Sequence, residues 1–583
     1  MRILFLAHAF NSLSQRLFGE LTRCGHEVSV ELDINDDVSR EAVALFQPDL
    51  ILAPFLKRAI PADIWRERLC LVVHPGIKGD RGPSSLDWAL MTGETRWGVT
   101  VLQADAEMDA GAIWATSEFA LSPGQRKASL YRNEVTEAAV AAVLQAVARV
   151  AAGGYRPEPL DYQRADVRGG WRPAMRQADR AIDWARDDTT TVLRKIRSAD
   201  SQPGVLDRIA GVGAYLFDAH PEHRLRGEPG ALLARREGAV CRATVDGAVW
   251  LGHLRPRDPE DGYRFKLPAA QVLYRAAAEL PESPMPFWAA DGPTYQDIAY
   301  READGVGFLS FDFYNGAMGV AECERLLAAY RRALQRDTRV LVLLGGRDFW
   351  SNGIHLNRIE AANSPADESW ANINAMDDLV RAILTTDDRL TVATLRGNAG
   401  AGGVFLALAA DHVVARTGVV LNPHYKNMGN LYGSEYWTYS LPRRVGEATG
   451  RAIMDHRLPL LATEALELGL VDELAGATPE ATAAAVASRA AEWAAADGVD
   501  GAIAAKRAEL AAVGGAEGLD AYRGQELERM RLNFYGFDPG YHVARYNFVH
   551  KVPSSRTPLY LARHRSLRHE PGQGSREAVA SAG

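Results

Sequence analysis

The sequence predicts a multidomain α/β protein: a doubly wound parallel sheet first, a small β-barrel next, and a second α/β domain after it. Three observations carry this. Apolar strand-like runs alternate with helical periodicity over residues 1–155. Short strand runs separated by Pro-Gly and Asp-Gly turns occupy residues 160–275. Strand and helix alternate again over 295–500, where two Gly-rich turns each follow an apolar run. At 583 residues the chain has room for roughly two to four domains.

The first domain opens with the buried-strand run Ile3-Leu-Phe-Leu-Ala7, then helical periodicity over 12–24 that stops at Gly25. Glu27-Val-Ser-Val-Glu31, Asp49-Leu-Ile-Leu-Ala53 and Leu69-Cys-Leu-Val-Val73 continue the pattern. Such a sheet gathers its chemistry at the carboxyl ends of its strands. The breakers in Gly153-Gly-Tyr-Arg-Pro-Glu-Pro159 mark its end. A helical stretch through Lys195-Ile-Arg197 precedes the strands Val240-Cys-Arg-Ala-Thr-Val245 and Ala248-Val-Trp-Leu251. Turns at Glu228-Pro-Gly230 and Asp246-Gly247 suit a small barrel. The Pro-rich residues 280–294 are expected to form a linker. Within 295–500, the alanine run from 477 to 495 is helical by propensity. Residues 501–570 are expected to pack back on the body, because Arg531-Leu-Asn-Phe-Tyr-Gly-Phe537 and Tyr541-His-Val-Ala-Arg-Tyr-Asn-Phe548 carry more aromatics than a solvated tail needs. Residues 571–583 are small and polar and are expected to be disordered.

Bulk properties exclude several classes. Apolar residues are 47% and charged residues 24% of the chain, as in ordinary globular protein. A net charge of −8 argues against nucleic acid or an anionic membrane as a main partner. Cys24, Cys70, Cys241 and Cys323 are scattered, with no metal-ligand spacing, and read as reduced thiols. No histidine falls at HxxxH or HExxH spacing beside carboxylates, so no metal site is expected. No secretory signal and no bilayer-length apolar run is read, which implies a cytoplasmic protein.

Two places carry candidate chemistry. His74 ends a strand, and Asp109 follows the strand run Gly98-Val-Thr-Val-Leu102. An imidazole and a carboxylate converging on one crevice can stabilise a tetrahedral intermediate and move its proton. Spacing alone does not separate this from a structural histidine. The second place is the pair of turns in Phe349-Trp-Ser-Asn-Gly-Ile-His-Leu356 and Gly397-Asn-Ala-Gly-Ala-Gly-Gly403. Two such turns can each aim a backbone N–H at one thioester oxygen, forming an oxyanion hole.

Residues 1–115 resemble the folate-dependent formyltransferases, through Cys24-Gly-His-Glu-Val28, Val73-His-Pro-Gly76, Arg81-Gly-Pro83, Trp97-Gly-Val-Thr100 and Met108-Asp-Ala-Gly111. The barrel region is similar to the C-terminal domain of methionyl-tRNA formyltransferase, through Ile182-Asp-Trp184 and Pro203-Gly204. The resemblance implies a Rossmann-like domain, N10-formyl-tetrahydrofolate as formyl donor, and catalytic roles for His74 and Asp109. The family's Asn, two residues before the histidine, is replaced by Val72. Gln15, Arg132, Ser201 and Gln202 are candidate polar replacements or cofactor contacts.

Residues 295–475 resemble the crotonase (enoyl-CoA hydratase/isomerase) superfamily, through Ser351-Asn-Gly-Ile-His-Leu356, residues 397–411 and Ala462-Thr-Glu-Ala-Leu-Glu-Leu-Gly-Leu-Val-Asp-Glu473. This implies coenzyme A thioesters as ligands and oxyanion N–H groups on Ile354 and Gly402. The two glutamates of a hydratase are absent: Phe405 fills the first slot, and Asn422-Pro-His-Tyr425 around the second holds no carboxylate. Tyr425 and Glu435 are the nearest replacements. Glu435 is flanked by aromatics, a setting that raises a carboxyl pKa and suits a proton shuttle.

The domain order, the segment Gly433-Ser-Glu-Tyr-Trp-Thr-Tyr439 and the tail over 533–551 resemble the HypX (HoxX) family of NiFe-hydrogenase maturation proteins. That resemblance implies a two-step enzyme that formylates CoA and then splits formyl-CoA into carbon monoxide and CoA. It also implies hydrogenase maturation proteins as partners and a continuous cavity joining the two sites. Asn315, Arg545 and Lys551 are assigned to cofactor binding, the last two as cations for CoA phosphates. Two other readings share these residues: a formyl-CoA hydrolase releasing formate, and a non-catalytic folate- and CoA-binding scaffold.

Overall fold

The computed structural model describes residues 1–258 and 263–566; the disorder expected for 571–583 lies outside the described residues. Two units make up the chain, the first comprising Met1–Pro123, Leu130–Ala174 and Pro553–Gly583, the second Gly124–Ser129 and Met175–Val552.

In the first unit, β1 (Arg2–Ala7), β2 (Glu27–Leu32), β3 (Leu50–Ala53), β4 (Cys70–His74), β5 (Arg96–Gln103) and β6 (Ile113–Ala120) form one sheet in the order β2-β1-β3-β4-β5-β6. The first four strands are parallel, so Ala7, Ala53 and His74 finish on one edge. β5 and β6 are antiparallel, which makes the sheet mixed rather than parallel throughout. Residues 104–112, between β5 and β6, are fewer than the dozen or so that a parallel crossover needs. Residues 127–152 form a helical stretch long and apolar enough to cross a bilayer by length and composition, against the expectation that no run reaches that length. Its buried positions include Ala138, Ala142, Val143, Ala146 and Val147, and it packs on β5 and β6. Its apolarity is that of a helix covering a sheet.

The C-terminal residues 553–566 close the edge of β2. Val30 N–H donates to Leu561 O at 3.0 Å, and Leu32 N–H donates to Thr557 Oγ1 at 2.9 Å. Pairing these groups removes a free sheet edge.

In the second unit, β7 (Val205–Ile209), β8 (Val212–Glu222), β9 (Leu232–Arg236), β10 (Ala239–Ala243) and β11 (Ala248–Pro256) pair antiparallel along the path β7-β8-β11-β10-β9, with β12 (Leu267–Pro268) on β11. The helix Thr189–Ser198 buries Val192, Leu193 and Ile196 against Val205, Leu216, Val240 and Leu251. The Pro-rich residues after it are tied down. Arg236 donates to Ser283 O at 2.8 Å and Tyr295 O at 2.7 Å, and Phe287 stacks on Tyr300 at 4.7 Å.

Ten strands build the rest: β13 (Ile298–Ala303), β14 (Val306–Phe311), β15 (Val340–Leu344), β16 (Phe349–Ser351), β17 (Leu390–Leu395), β18 (Asn398–Gly400), β19 (His412–Ala415), β20 (Val420–Asn422), β21 (Leu460–Leu461) and β22 (Glu473–Leu474). One sheet runs β13-β14-β15-β17-β19-β22, and a smaller one runs β16-β18-β20-β21. The chain steps from the larger to the smaller sheet between β15 and β16, and again between β17 and β18. Because β16 and β18 pair in parallel, the turns that follow them lie side by side. The helix Pro365–Leu384 covers this region with Ile373, Met376, Leu379, Val380 and Ile383. The helix Gly515–Tyr535 packs on it through Leu519, Met530 and Phe534.

Candidate functional site

In the first unit His74 closes β4, and Asp109 sits in the loop between β5 and β6. The imidazole is 5% exposed and lies between two carboxylates. Nε2 is 2.9 Å from Asp80 Oδ2, and Nδ1 is 3.6 Å from Asp109 Oδ2. Burial pulls the His74 pKa down, but its hydrogen bond to Asp80 and the charges of Asp109 and Asp80 outweigh it, and the net shift is upward. Asp109 takes a left-handed φ of +54°, and its Oδ2 accepts Gly82 N–H at 3.1 Å. Asn11 Nδ2 donates to Tyr131 Oη at 3.2 Å, which draws the helix carrying Gln15 against the π-helical turn Tyr131–Val135 that carries Arg132. Gln15 Nε2 donates to Phe10 O at 3.0 Å.

In the second unit the two Gly-rich turns lie close together. A Cβ added to Gly353 would stand 3.4 Å from Gly402 N. Among the described residues, neither Ile354 N–H nor Gly402 N–H has a hydrogen-bond acceptor. The first turn is held from behind. His355 N–H donates to Asn372 Oδ1 at 3.1 Å, Asn372 Nδ2 donates to Met318 O at 2.9 Å, and Gly353 N–H donates to Ser351 Oγ at 3.1 Å.

Tyr425 and Glu435 are both buried and joined, with Tyr425 Oη 2.5 Å from Glu435 Oε2. Phe405, in the first hydratase slot, stacks on Tyr425 with ring centroids 5.6 Å apart. The Tyr425 hydroxyl also lies 3.0 Å from Ser434 O. A hydroxyl has one proton. Both contacts are satisfied when Tyr425 donates to Ser434 O and Glu435 carries a proton that it shares with Tyr425. Burial raises the Glu435 pKa and nearby Asp377 raises it further. Asp377 is also pushed up by burial, but Arg523 at 3.5 Å, Ser434 Oγ at 2.8 Å and Glu435 N–H at 2.8 Å support its charge. Burial and the facing Asp377 thus favour the protonated form of Glu435, while Arg523 and these donors favour the charged form of Asp377.

The backbone here is strained. Glu435 and Tyr436 have φ of +62° and +58°, a region that costs a non-glycine residue about 1–3 kcal/mol. Asp377 holds the first of them. Glu526 holds the next turn, accepting Tyr436 N–H at 2.9 Å, Thr438 N–H at 2.8 Å and Thr438 Oγ1–H at 2.6 Å.

The other candidates of this unit fall in two places. Lys127 Nζ donates to Gln202 O at 2.5 Å, and Asp200, before Ser201, accepts Tyr314 Oη–H at 2.6 Å. Asn315 follows Tyr314, and its carbonyl accepts Asn352 Nδ2–H at 2.8 Å. Tyr314 and Asn315 thus connect Asp200, the neighbour of Ser201, to Asn352 of the first Gly-rich turn. Arg545 is engaged elsewhere, its Nε donating to Glu360 Oε2 at 2.8 Å. The Lys551 ammonium stands 4.1 Å over the Phe548 ring.

Comparison with known proteins follows this division. The formyl transferase family model matches residues 29–147, the formyl transferase C-terminal domain matches 174–264, and enoyl-CoA hydratase/isomerase matches 317–512. The hydrogenase maturation factor HoxX of Bradyrhizobium diazoefficiens is 57% identical over 581 residues, covering 100% of both chains. This chain belongs to the HypX/HoxX family of hydrogenase maturation factors. HypX of Aquifex aeolicus, solved in complex with tetrahydrofolic acid, is 51% identical, with a TM-score of 0.94 over 97% of this chain and 99% of that one. The methionyl-tRNA formyltransferase of Desulfotalea psychrophila is 27% identical over 38% of this chain and 68% of its own.

Sequence reasoning missed four buried residues of this HypX/HoxX chain: Asp80, Asn372, Asp377 and Glu526. A signal existed for two. Asp377 lies in the apolar phase of its helix, between Ile373 and Val380. Glu526 lies in the buried stripe Leu519, Glu526, Met530 and Phe534. A carboxylate at an apolar position is unusual unless something pairs with it. Asp80 stands between Lys78 and Arg81 and reads as part of a solvated loop.

Proposed function

We propose that this protein transfers the formyl group of N10-formyl-tetrahydrofolate to coenzyme A, using His74 and Asp109, and then splits formyl-CoA into carbon monoxide and CoA, using Glu435 and Tyr425. The gas would serve as a ligand for the NiFe-hydrogenase iron, with hydrogenase maturation proteins as its recipients. One observation carries the reading: a buried, hydrogen-bonded Glu435–Tyr425 pair packed against Gly402, with no acceptor for the Ile354 and Gly402 amides among the described residues, where both hydratase glutamates are replaced.

In the second step the C–S bond breaks and its electron pair goes to sulfur. Glu435, through Tyr425, supplies the proton that makes the free thiol. The formyl hydrogen leaves as a proton to the vacated carboxylate, which restores Glu435 to its starting state. Ile354 and Gly402 N–H hold the carbonyl oxygen while carbon loses both substituents. No water is consumed, so the hydratase glutamates are not needed, and a dry pocket protects the thioester. The formyl transferase matches and the tetrahydrofolic acid complex of the Aquifex aeolicus relative support the folate half. The enoyl-CoA hydratase/isomerase match supports the thioester half. Gln15, Arg132, Ser201, Gln202 and Asn315 are proposed to hold the two substrates. Arg545 and Lys551 are proposed for the CoA phosphates, although Arg545 would have to share its guanidinium with Glu360.

The test is to incubate the pure protein with N10-formyl-tetrahydrofolate and CoA and to trap carbon monoxide with a haem protein. Formate without carbon monoxide would instead indicate a formyl-CoA hydrolase. Absence of turnover, with His74→Ala and Glu435→Gln indistinguishable from the parent, would indicate a scaffold.

A further inference from the structure

The formyl-transfer reading assigns His74 and Asp109 but leaves the carboxylate on the other side of the ring without a role. The Asp80 side chain is 0% exposed, and its Oδ2 lies 2.9 Å from His74 Nε2. The local sequence is built around this contact. A Cβ on Gly76 would stand 2.4 Å from both Asp80 Oδ2 and His74 Nε2, and one on Gly169 would stand 1.9 Å from Asp80 N. The Asp80 amide closes a turn onto Ile77 O at 2.9 Å. Asp80 Oδ1 is buried without a hydrogen-bond partner, and Arg172 Nε is 3.9 Å away. A carboxylate with so few donors of its own interacts chiefly with the imidazole.

We propose that Asp80 is a positioning residue for formyl transfer: it engages Nε2–H of His74, keeps the ring positively charged, and leaves Nδ1–H as the proton offered to substrate. The 3.6 Å gap between Nδ1 and Asp109 is longer than a hydrogen bond, so both groups can reach a reacting atom. The proposal rests on the reading above and completes its proton path. The acceptor thiol gives its proton to Asp109 as sulfur bonds to the formyl carbon. The carbon–N10 bond breaks with its electron pair going to N10, and N10 takes the Nδ1 proton of His74. Asp109 then returns the thiol proton to Nδ1. Atoms and charge balance, and no other reactant is required. Both carboxylates favour the charged imidazole, in line with the upward shift of His74. The Arg172 guanidinium, 3.9 Å from Asp80 Oδ1, is a further charged group near this pair.

The experiment compares Asp80→Asn with the parent, in the full chain, by tetrahydrofolate release from N10-formyl-tetrahydrofolate in the presence of CoA. Without the Asp80 charge, His74 loses its proton at lower pH. The alkaline limb of kcat should move down by about one pH unit, so kcat at pH 8 should fall by up to about tenfold. KM for the formyl donor should stay within about twofold, because Asp80 is proposed to act on the ring and not on the donor. An unchanged pH limb overturns the proposal. A parent enzyme that releases no tetrahydrofolate overturns the formyl-transfer reading instead. Should the variant not fold, ¹⁵N NMR of histidine-labelled parent decides: both His74 ring nitrogens protonated at pH 7.5 supports the role, and a neutral ring overturns it.

Discussion

Glu435 lies directly against the α-carbon of Gly402. A methyl group added there would stand 2.1 Å from Glu435 Oε1 and 2.4 Å from its carboxyl carbon. The proposed proton donor and the proposed oxyanion turn are therefore packed against each other as one unit.

Gly402→Ala tests that unit. The methyl group displaces the Glu435 carboxyl while the fold loses only the ~1–3 kcal/mol typical of overpacking. Carbon monoxide formation should fall by about 10²- to 10³-fold, the size of losing one oxyanion donor. Formyl transfer, proposed to use His74 and Asp109, should be unchanged. Trapping carbon monoxide and measuring formyl-CoA in the same reaction distinguishes the two steps; equal loss of both would contradict the assignment.

Asp377→Asn should change the pH dependence of carbon monoxide release. The Asp377 charge is one cause of the raised Glu435 pKa, after burial. Removing that charge lowers the Glu435 pKa, so the acid form is lost at a lower pH. The alkaline limb of the rate should move toward neutrality, and an unmoved limb would show that Asp377 does not act through Glu435.

Glu526 offers a stability test with a definite sign. Burial and the charge of Asp377 raise its pKa to about 8, despite its hydrogen bonds from Thr438 and Tyr436. A raised acid binds its proton more tightly in the folded state, so its contribution is fully present below the unfolded glutamate pKa and is lost as pH rises toward 8. The unfolding free energy from denaturant titration should therefore fall between about pH 4.5 and 8, and Glu526→Gln should flatten that slope. The variant keeps a carbonyl oxygen for only one of the two amides, because Tyr436 N–H and Thr438 N–H bond different carboxyl oxygens.

Much of this was legible in the sequence, and the omissions share a cause. Apolar runs located β1, β3 and β4 and put His74 at a strand end, whereas Asp109, also read at a strand end, lies in the loop between β5 and β6. Glu435 was singled out as a replacement for the missing hydratase glutamates, and the aromatics flanking it pointed to a raised pKa. Periodicity carries no strand direction, so the antiparallel β5 and β6 were not anticipated. Partners distant in the chain were equally invisible. Arg545 read as a cation for phosphate, yet Glu360, 185 residues earlier, engages it. Glu526 supports Tyr436 from 90 residues away. A local reading identifies a reactive side chain but not the buried group that holds it in place.

The C-terminal strap of the first unit gives the last prediction. Glu31 is fully buried on the edge strand β2, with His564 Nε2 at 2.8 Å and Arg565 Nη2 at 2.8 Å from its Oε2. Thr557 donates to its other oxygen. Glu31→Ala removes the acceptor and leaves the buried Arg565 charge with only Glu41, at 2.8 Å, which is partly exposed. Breaking a buried ion pair from one side costs about 3–5 kcal/mol. The strap should detach, and the amides of Val30 and Leu32 should lose protection in hydrogen exchange, while those of β1 and β3 remain slow. Deleting residues 553–583 should have the same effect and add association through the uncovered edge, visible as a concentration-dependent sedimentation coefficient. If exchange at Val30 and Leu32 stays as slow as in the parent, the strap is not what covers β2.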